Sequence, residues 1–283
     1  MNLHPLDPRL REELKNAVER GLASGELMLP AQVAEHTNLF RDRFGPNVPR
    51  GLDGEELLLL MHGRQDSNSR CLAYWLEFKN DDEFAGYRFG GIGGGSALKF
   101  GIYQRQSDGV WITGSNTQQQ ILSVPDAIKI AQRQRDELLA GDKVLAEFGA
   151  TDTSHDAYFR LQAEMEKAAP NLSQDAWAHK YWFLMYPDRL DDYHSPRYQR
   201  FHLIKLLQLP PDRIGILDWR APRFLCAGRF IAAAQELQVP VTTLNAALNQ
   251  RHGFGLGDVL VFGSASAGAT ASATRTAAQA TAA

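Results

Sequence analysis

A chain of 283 residues with 44% apolar side chains can bury one large core or two smaller ones, and a formal charge of −3 leaves the kind of partner open. The longest apolar run, Leu57 to Met61, falls far short of the roughly 20 residues of a spanning helix, and the start MNLHPLDPRLREEL has no apolar stretch behind a basic one, so no membrane role is expected and a cytoplasmic location is. Cys71 and Cys226 stand apart without CxxC spacing, which argues against a disulfide framework and a cysteine zinc site.

Taken in chain order, residues 1–44 read as helical, with Leu10, Leu14, Val18 and Leu22 at spacings of four. The Gly- and Pro-rich stretch from Gly45 to Gly54 reads as a connector into an α+β domain spanning residues 45–150. Short apolar or aromatic runs at 57–62, 72–78, 87–92, 97–103 and 109–113, divided by turn-like segments, predict a mainly antiparallel sheet. Ser123 then serves as N-cap, with Pro125 and Asp126 in the first turn, for a helix that packs on the sheet. Residues 151–262 read as an all-α domain with helices at 156–168, 173–186, 196–208, 222–237 and 242–250. The small residues of 263–283 bury little apolar area, and a disordered tail is expected there.

The stretch from Arg88 to Gly101, RFGGIGGGSALKFG, holds six glycines beside Ser96 and Lys99. A Walker loop needs lysine directly after its last glycine, and here Lys99 lies four residues beyond Gly95. The nearest GxGxxG match has Ser96 in sixth place and a strand expected after it, so the glycines read as a tight strand connection. Asp66, Glu77 and Lys79 give the outline of a metal-dependent nuclease, provided Glu77 and Lys79 share one face of a strand; a solvated edge pair accounts for the same residues. His179, Asp188, Asp191, Asp192, His194 and His202 gather as metal-ligand types, yet no HExxH pairing appears and Trp177, Tyr181 and Phe183 look like core. With no nucleophile motif and no Walker motif, a non-enzymatic protein without metal or cofactor is expected.

The most informative segment runs from Ala234 to Gly253, AQELQVPVTTLNAALNQRHG. Its grammar is that of a helix-turn-helix, with small Ala234 at the crossing, buried Val239 in the turn, and Leu244, Ala247 and Leu248 facing inward. Thr242, Asn245 and Asn249 are then expected outward, toward base edges, with Arg251 and His252 near phosphate. Gln238 stands where such turns usually carry glycine. Two helices packed only for structure explain the pattern equally well. From Arg197 to His252 eight cations face three carboxylates, an excess of five positive charges, which permits a basic face.

The run LAYWLEFKNDDEF, then RFGGIGGGSALKFGIYQRQSDGVWITGS and LSVPDAIKIAQRQRDELLAG, followed by AWAHKYWFLMYPDRLDDYHSPRYQRFHLIKLLQLPP, resembles the region preceding the AAA+ GTPase motor in a subset of McrB-like, 5-methylcytosine-specific restriction proteins. The resemblance covers about residues 55–250. It implies a recognition module of modification-dependent restriction and phage defence, with double-stranded DNA, methylated or not, and a separately encoded motor or nuclease subunit as partners. No motor residues stand in this sequence, so the resemblance carries no GTP hydrolysis to it. A protein-interaction module without nucleic acid is the rival expectation.

Overall fold

The computed structural model describes residues 6–63, 71–79, 89, 92, 97–105, 107–115, 117–149, 151–207 and 223–252; for Phe78, Lys79, Ala97, Leu98, Leu207 and His252 it describes the backbone only. The helices are α1 (Pro8–Ser24), α2 (Pro30–Phe44), α3 (Asn47–Arg50), α4 (Gly54–His62), α5 (Leu72–Tyr74), α6 (Val124–Glu147), α7 (His155–Ala168), α8 (Ala176–Met185), α9 (Pro196–Leu207), α10 (Arg223–Leu237) and α11 (Val241–His252). The strands are β1 (Ile102–Gln104), β2 (Trp111–Ser115) and β3 (Gln118–Leu122), joined in that order as an antiparallel sheet. The α+β expectation holds in this form: among the described residues, many helices accompany one small antiparallel sheet.

Local chemistry accounts for the elements. Asp7 caps α1 by accepting from the amides of Arg9 and Leu10, and Leu10, Leu14 and Val18 form its buried stripe. Ser123 accepts from the Asp126 amide at the start of α6, as its position in the sequence predicts.

Two predicted strands are helices. LLLLMH lies in α4, where Asp53 accepts from the Gly54 amide and Glu55 and Glu56 occupy the first turn. Leucine is a strong helix former, and an unbroken apolar run has no period that separates a buried strand from a buried helix. LAYWLEF begins as α5 behind Cys71, whose sulfur accepts from the Tyr74 amide, and continues as a π-helical turn, Trp75–Lys79. At 97–103 a 3-10 turn, Ala97–Phe100, precedes β1, and β3 completes the sheet where no strand was expected.

Residues from Leu6 in the first region to Leu248 in the last share one hydrophobic cluster. Its centre is α8, whose Trp177, Tyr181, Trp182, Phe183 and Leu184 are all buried. Where helices cross most tightly, glycine leaves the room. A Cβ on Gly141 of α6 would sit 2.5 Å from the Trp182 ring, and one on Gly228 of α10 would sit 2.6 Å from the Tyr158 ring. Polar links tie the sheet side to this core: Gln134 of α6 donates to the Phe100 carbonyl at 2.7 Å and accepts from His62 Nε2 at 2.6 Å.

Candidate functional site

Because α8 is covered on every side, its two polar residues His179 and Lys180 are buried with it. The segment after α8 returns through Asp191, Asp192, Tyr193 and His194, which are buried as well. His194 Nε2 lies 2.9 Å from the Phe89 carbonyl, an acceptor, so Nε2 carries the proton and Nδ1 is left to accept. His194 Nδ1 is 3.0 Å from His179 Nδ1, which must therefore donate, and His179 Nε2 remains an acceptor with no partner. Burial keeps both rings neutral: it pulls His179 down to about 3 and His194 well below the usual histidine range.

The carboxylates meet the opposite pressure. Burial pushes Asp191 up to about 8 and Asp192 up to about 7, against the hydrogen bonds that favour their charged forms. Asp191 accepts from the Tyr193 amide at 2.8 Å and from Gln199 Nε2 at 2.8 Å; Gln199 also donates to the Arg223 carbonyl at 3.0 Å. Asp192 accepts from Asn245 Nδ2, and Lys180 is the cation that favours its charge. Tyr193 shares its hydroxyl proton between the Asn245 carbonyl and Asn249 Oδ1, each at 3.0 Å, and stacks on His202 at 4.4 Å.

The two groups of residues meet at one point: Asp192 accepts from Asn245 Nδ2, and the neighbouring Tyr193 hydroxyl reaches Asn245 and Asn249. Asp188 is exposed and lies beside Arg189 instead. Among the described residues no group of three or more His, Cys, Asp or Glu side chains is placed to hold a metal ion.

The outward orientation expected for α11 needs correction. Thr242 is 2% exposed and Asn245 1%, since α1 packs on α11 from one side and α9 and α10 from others. Asn249 is half-buried against Tyr193, and Arg251 forms an ion pair with Glu13 of α1. The His252 side chain lies outside the described residues. Pattern reading placed Thr242 and Asn245 outward because polar residues usually face water; here both are buried, and Asn245 donates to Asp192 instead. Of the two outcomes left open for Gln238, a strained φ or a different turn, the structure shows φ 57°, a left-handed conformation. Lys180, Gln199 and Tyr193 escaped the sequence reading, although a lysine inside the apolar run AWAHKYWFLM was a visible signal.

The nuclease outline loses its premise, because Glu77 sits in the π-helical turn and strand periodicity does not apply there. Glu77 Oε1 pairs with Lys99 Nζ at 2.6 Å, and Lys99 also donates to the Ile92 carbonyl at 2.9 Å. Asp66 and the Lys79 side chain lie outside the described residues, as do Gly90, Gly91 and 93–96 of the glycine stretch.

A second feature is on the surface. Strand β3, QQQIL, carries no charge and pairs with β2 along one side only, with no strand on its other edge among the described residues. Ile121 is 70% exposed, and beside it a groove of about 560 Å³ is lined by Leu58, Leu59, Trp111, Leu122 and Val124.

No protein-family model, no curated protein and no solved structure matches the chain.

Proposed function

We propose that the chain is a non-enzymatic adaptor, of the kind its resemblance to McrB-like restriction proteins implies, that holds a separately encoded motor or nuclease subunit. The observation that carries this reading is the edge of β3, unpaired among the described residues, beside an apolar groove. Edge strands normally carry lysine, proline or a bulge that blocks pairing, and Gln118–Leu122 has none of these. An extended, uncharged segment of a partner can add to such an edge through main-chain hydrogen bonds and seat alternate apolar side chains in the groove. Co-purification with the neighbouring gene's product tests it. Ile121→Lys should reduce recovery of the complex at least tenfold, while Phe159→Lys, a change at another exposed apolar residue, on α7, should leave it intact. Equal recovery with both variants, or no complex with the wild-type chain, would sink the idea.

The left-handed Gln238 favours a second reading, in which the α10–α11 hairpin binds double-stranded DNA. With Thr242 and Asn245 buried, such binding would rest on phosphate contacts, so its affinity should fall steeply with salt and ignore methylation. Anisotropy titrations of methylated and unmethylated duplexes at two salt concentrations decide it.

A further inference from the structure

We propose that a cleft between α2, α3, α6 and the end of α8 binds a free α-amino acid with an apolar side chain, its ammonium on Asp142 and its carboxylate on Arg41. The cleft has a volume of about 390 Å³, and its walls include Arg41 of α2, Pro46, Val48, Asp142 of α6, Met185 and Tyr186. Small-molecule sites start at about 300 Å³, so one small ligand fits it. Asp42, which also lines the cleft, is exposed and spends its charge largely in water.

Two opposite charges are held on these walls, and neither is answered by a counter-ion. Asp142 is 7% exposed; its Oδ1 accepts from the Tyr186 hydroxyl at 2.8 Å, and Oδ2 has no partner among the described residues. Arg41 is half-buried; its Nη2 donates to the Met185 carbonyl at 2.6 Å, while Nη1 reaches Asn38 Oδ1 only at 3.4 Å. Among the described residues neither Arg41 nor Asp142 forms an ion pair. The charges nearby are engaged elsewhere: Arg189 lies 3.6 Å from Asp188, and Arg50 donates to Asn47 Oδ1 at 2.9 Å. Asp188 and Arg50 act on Arg41 and Asp142 only through space. Burial raises the Asp142 carboxyl and lowers the Arg41 guanidinium, as expected of charges short of a counter-ion.

Tyr186 spans the gap between them. Its hydroxyl is at Asp142, and the carbonyl that begins its own peptide unit is at Arg41, so the two charges stand about a tyrosine side chain apart. That is too far for an ion pair and within reach of one small molecule. A ligand of a single sign would answer one charge and be repelled by the other. A zwitterion answers both: its ammonium donates to Oδ2, and its carboxylate accepts from Nη1 and the second Nη2 hydrogen, in charge-assisted bonds about twice as strong as neutral ones. Pro46, Val48 and Met185 leave an apolar wall for the side chain that an amino acid carries between its two charged groups.

Calorimetric titration of the full chain tests the site. L-leucine should bind with a Kd of about 1 mM or below. N-acetyl-L-leucine, which lacks the ammonium, and L-leucinamide, which lacks the carboxylate, should each bind at least tenfold more weakly. Asp142→Asn keeps an acceptor for Tyr186; it should weaken L-leucine at least tenfold and leave N-acetyl-L-leucine unchanged. Arg41→Gln should weaken L-leucine equally and leave L-leucinamide unchanged. Variants that weaken all three ligands alike would give these residues a structural role only and overturn the proposal. So would blocked forms that bind as well as L-leucine, or no binding of L-leucine, L-valine or L-methionine at about 10 mM. Should either variant fail to fold, the wild-type series decides alone, since it deletes each ligand charge in turn.

Discussion

Glu137 shows how one side chain can set a loop. Its carboxylate accepts from the amides of Asn171 and Leu172 at 2.9 and 3.0 Å and from Asn171 Nδ2, and so fastens the turn after α7 to α6. Glu137→Ala leaves two backbone donors without a partner at a nearly closed site, for an expected loss of about 2–3 kcal/mol in a denaturant titration. Glu137→Gln keeps an acceptor and should lose clearly less. Nothing in the sequence singles out Glu137, which sits among RDELLAG like any helix-surface acid. The same blindness hid Asn245 and Thr242. Polarity at helical spacing says that a residue wants hydrogen bonds, and it does not say whether water or Asp192 provides them. At Gln238 the sequence left a strained φ or a different turn open, and only the structure shows which of them the backbone takes.

Helices with a cap and a clear period were readable from sequence, and α6 and α7 begin within two residues of where their signals stand. Short apolar runs were not. LLLLMH became α4 because Asp53 and the two glutamates decide its start, and those signals were outweighed by the run that follows. β3 was missed for the opposite reason, since QQQ has neither β-branching nor alternation and is held by its register with β2. The tight crossing of α7 and α10 gives a prediction at this scale. Gly228→Ala would gain about 1 kcal/mol of helix propensity in isolation. Its methyl, however, meets the ring of Tyr158, which is fixed by a 2.8 Å bond to the Arg189 carbonyl and by Phe148 at 5.0 Å. Overpacking costs about 1–3 kcal/mol, so the variant should unfold at lower urea than the wild type.

For the whole molecule, the buried imidazoles and carboxylates predict a stability maximum near pH 6. On the alkaline side Asp191 and Asp192 lose their contribution as pH rises through about 7 to 8. On the acid side His62, lowered to about 4, and His179, lowered to about 3, contribute above the ordinary histidine value and lose it as pH falls through those values. Melting temperatures measured from pH 3 to 9 should trace this dome, with Asp191→Asn flattening its alkaline limb; a monotonic profile would contradict the assignment. The meeting of the first and last described regions also bears on how the chain comes together. Leu6 donates to Glu236 across 230 positions, Arg11 lies 3.5 Å from the same carboxylate, and Val18 and Leu27 pack with Ala247. A ribosome adding about 5–20 residues per second needs roughly 10–50 seconds to travel that distance. For that interval Leu10, Leu14 and Val18 wait on α1 without the helices that will cover them, which makes the growing chain a client for whatever shields apolar stripes during synthesis.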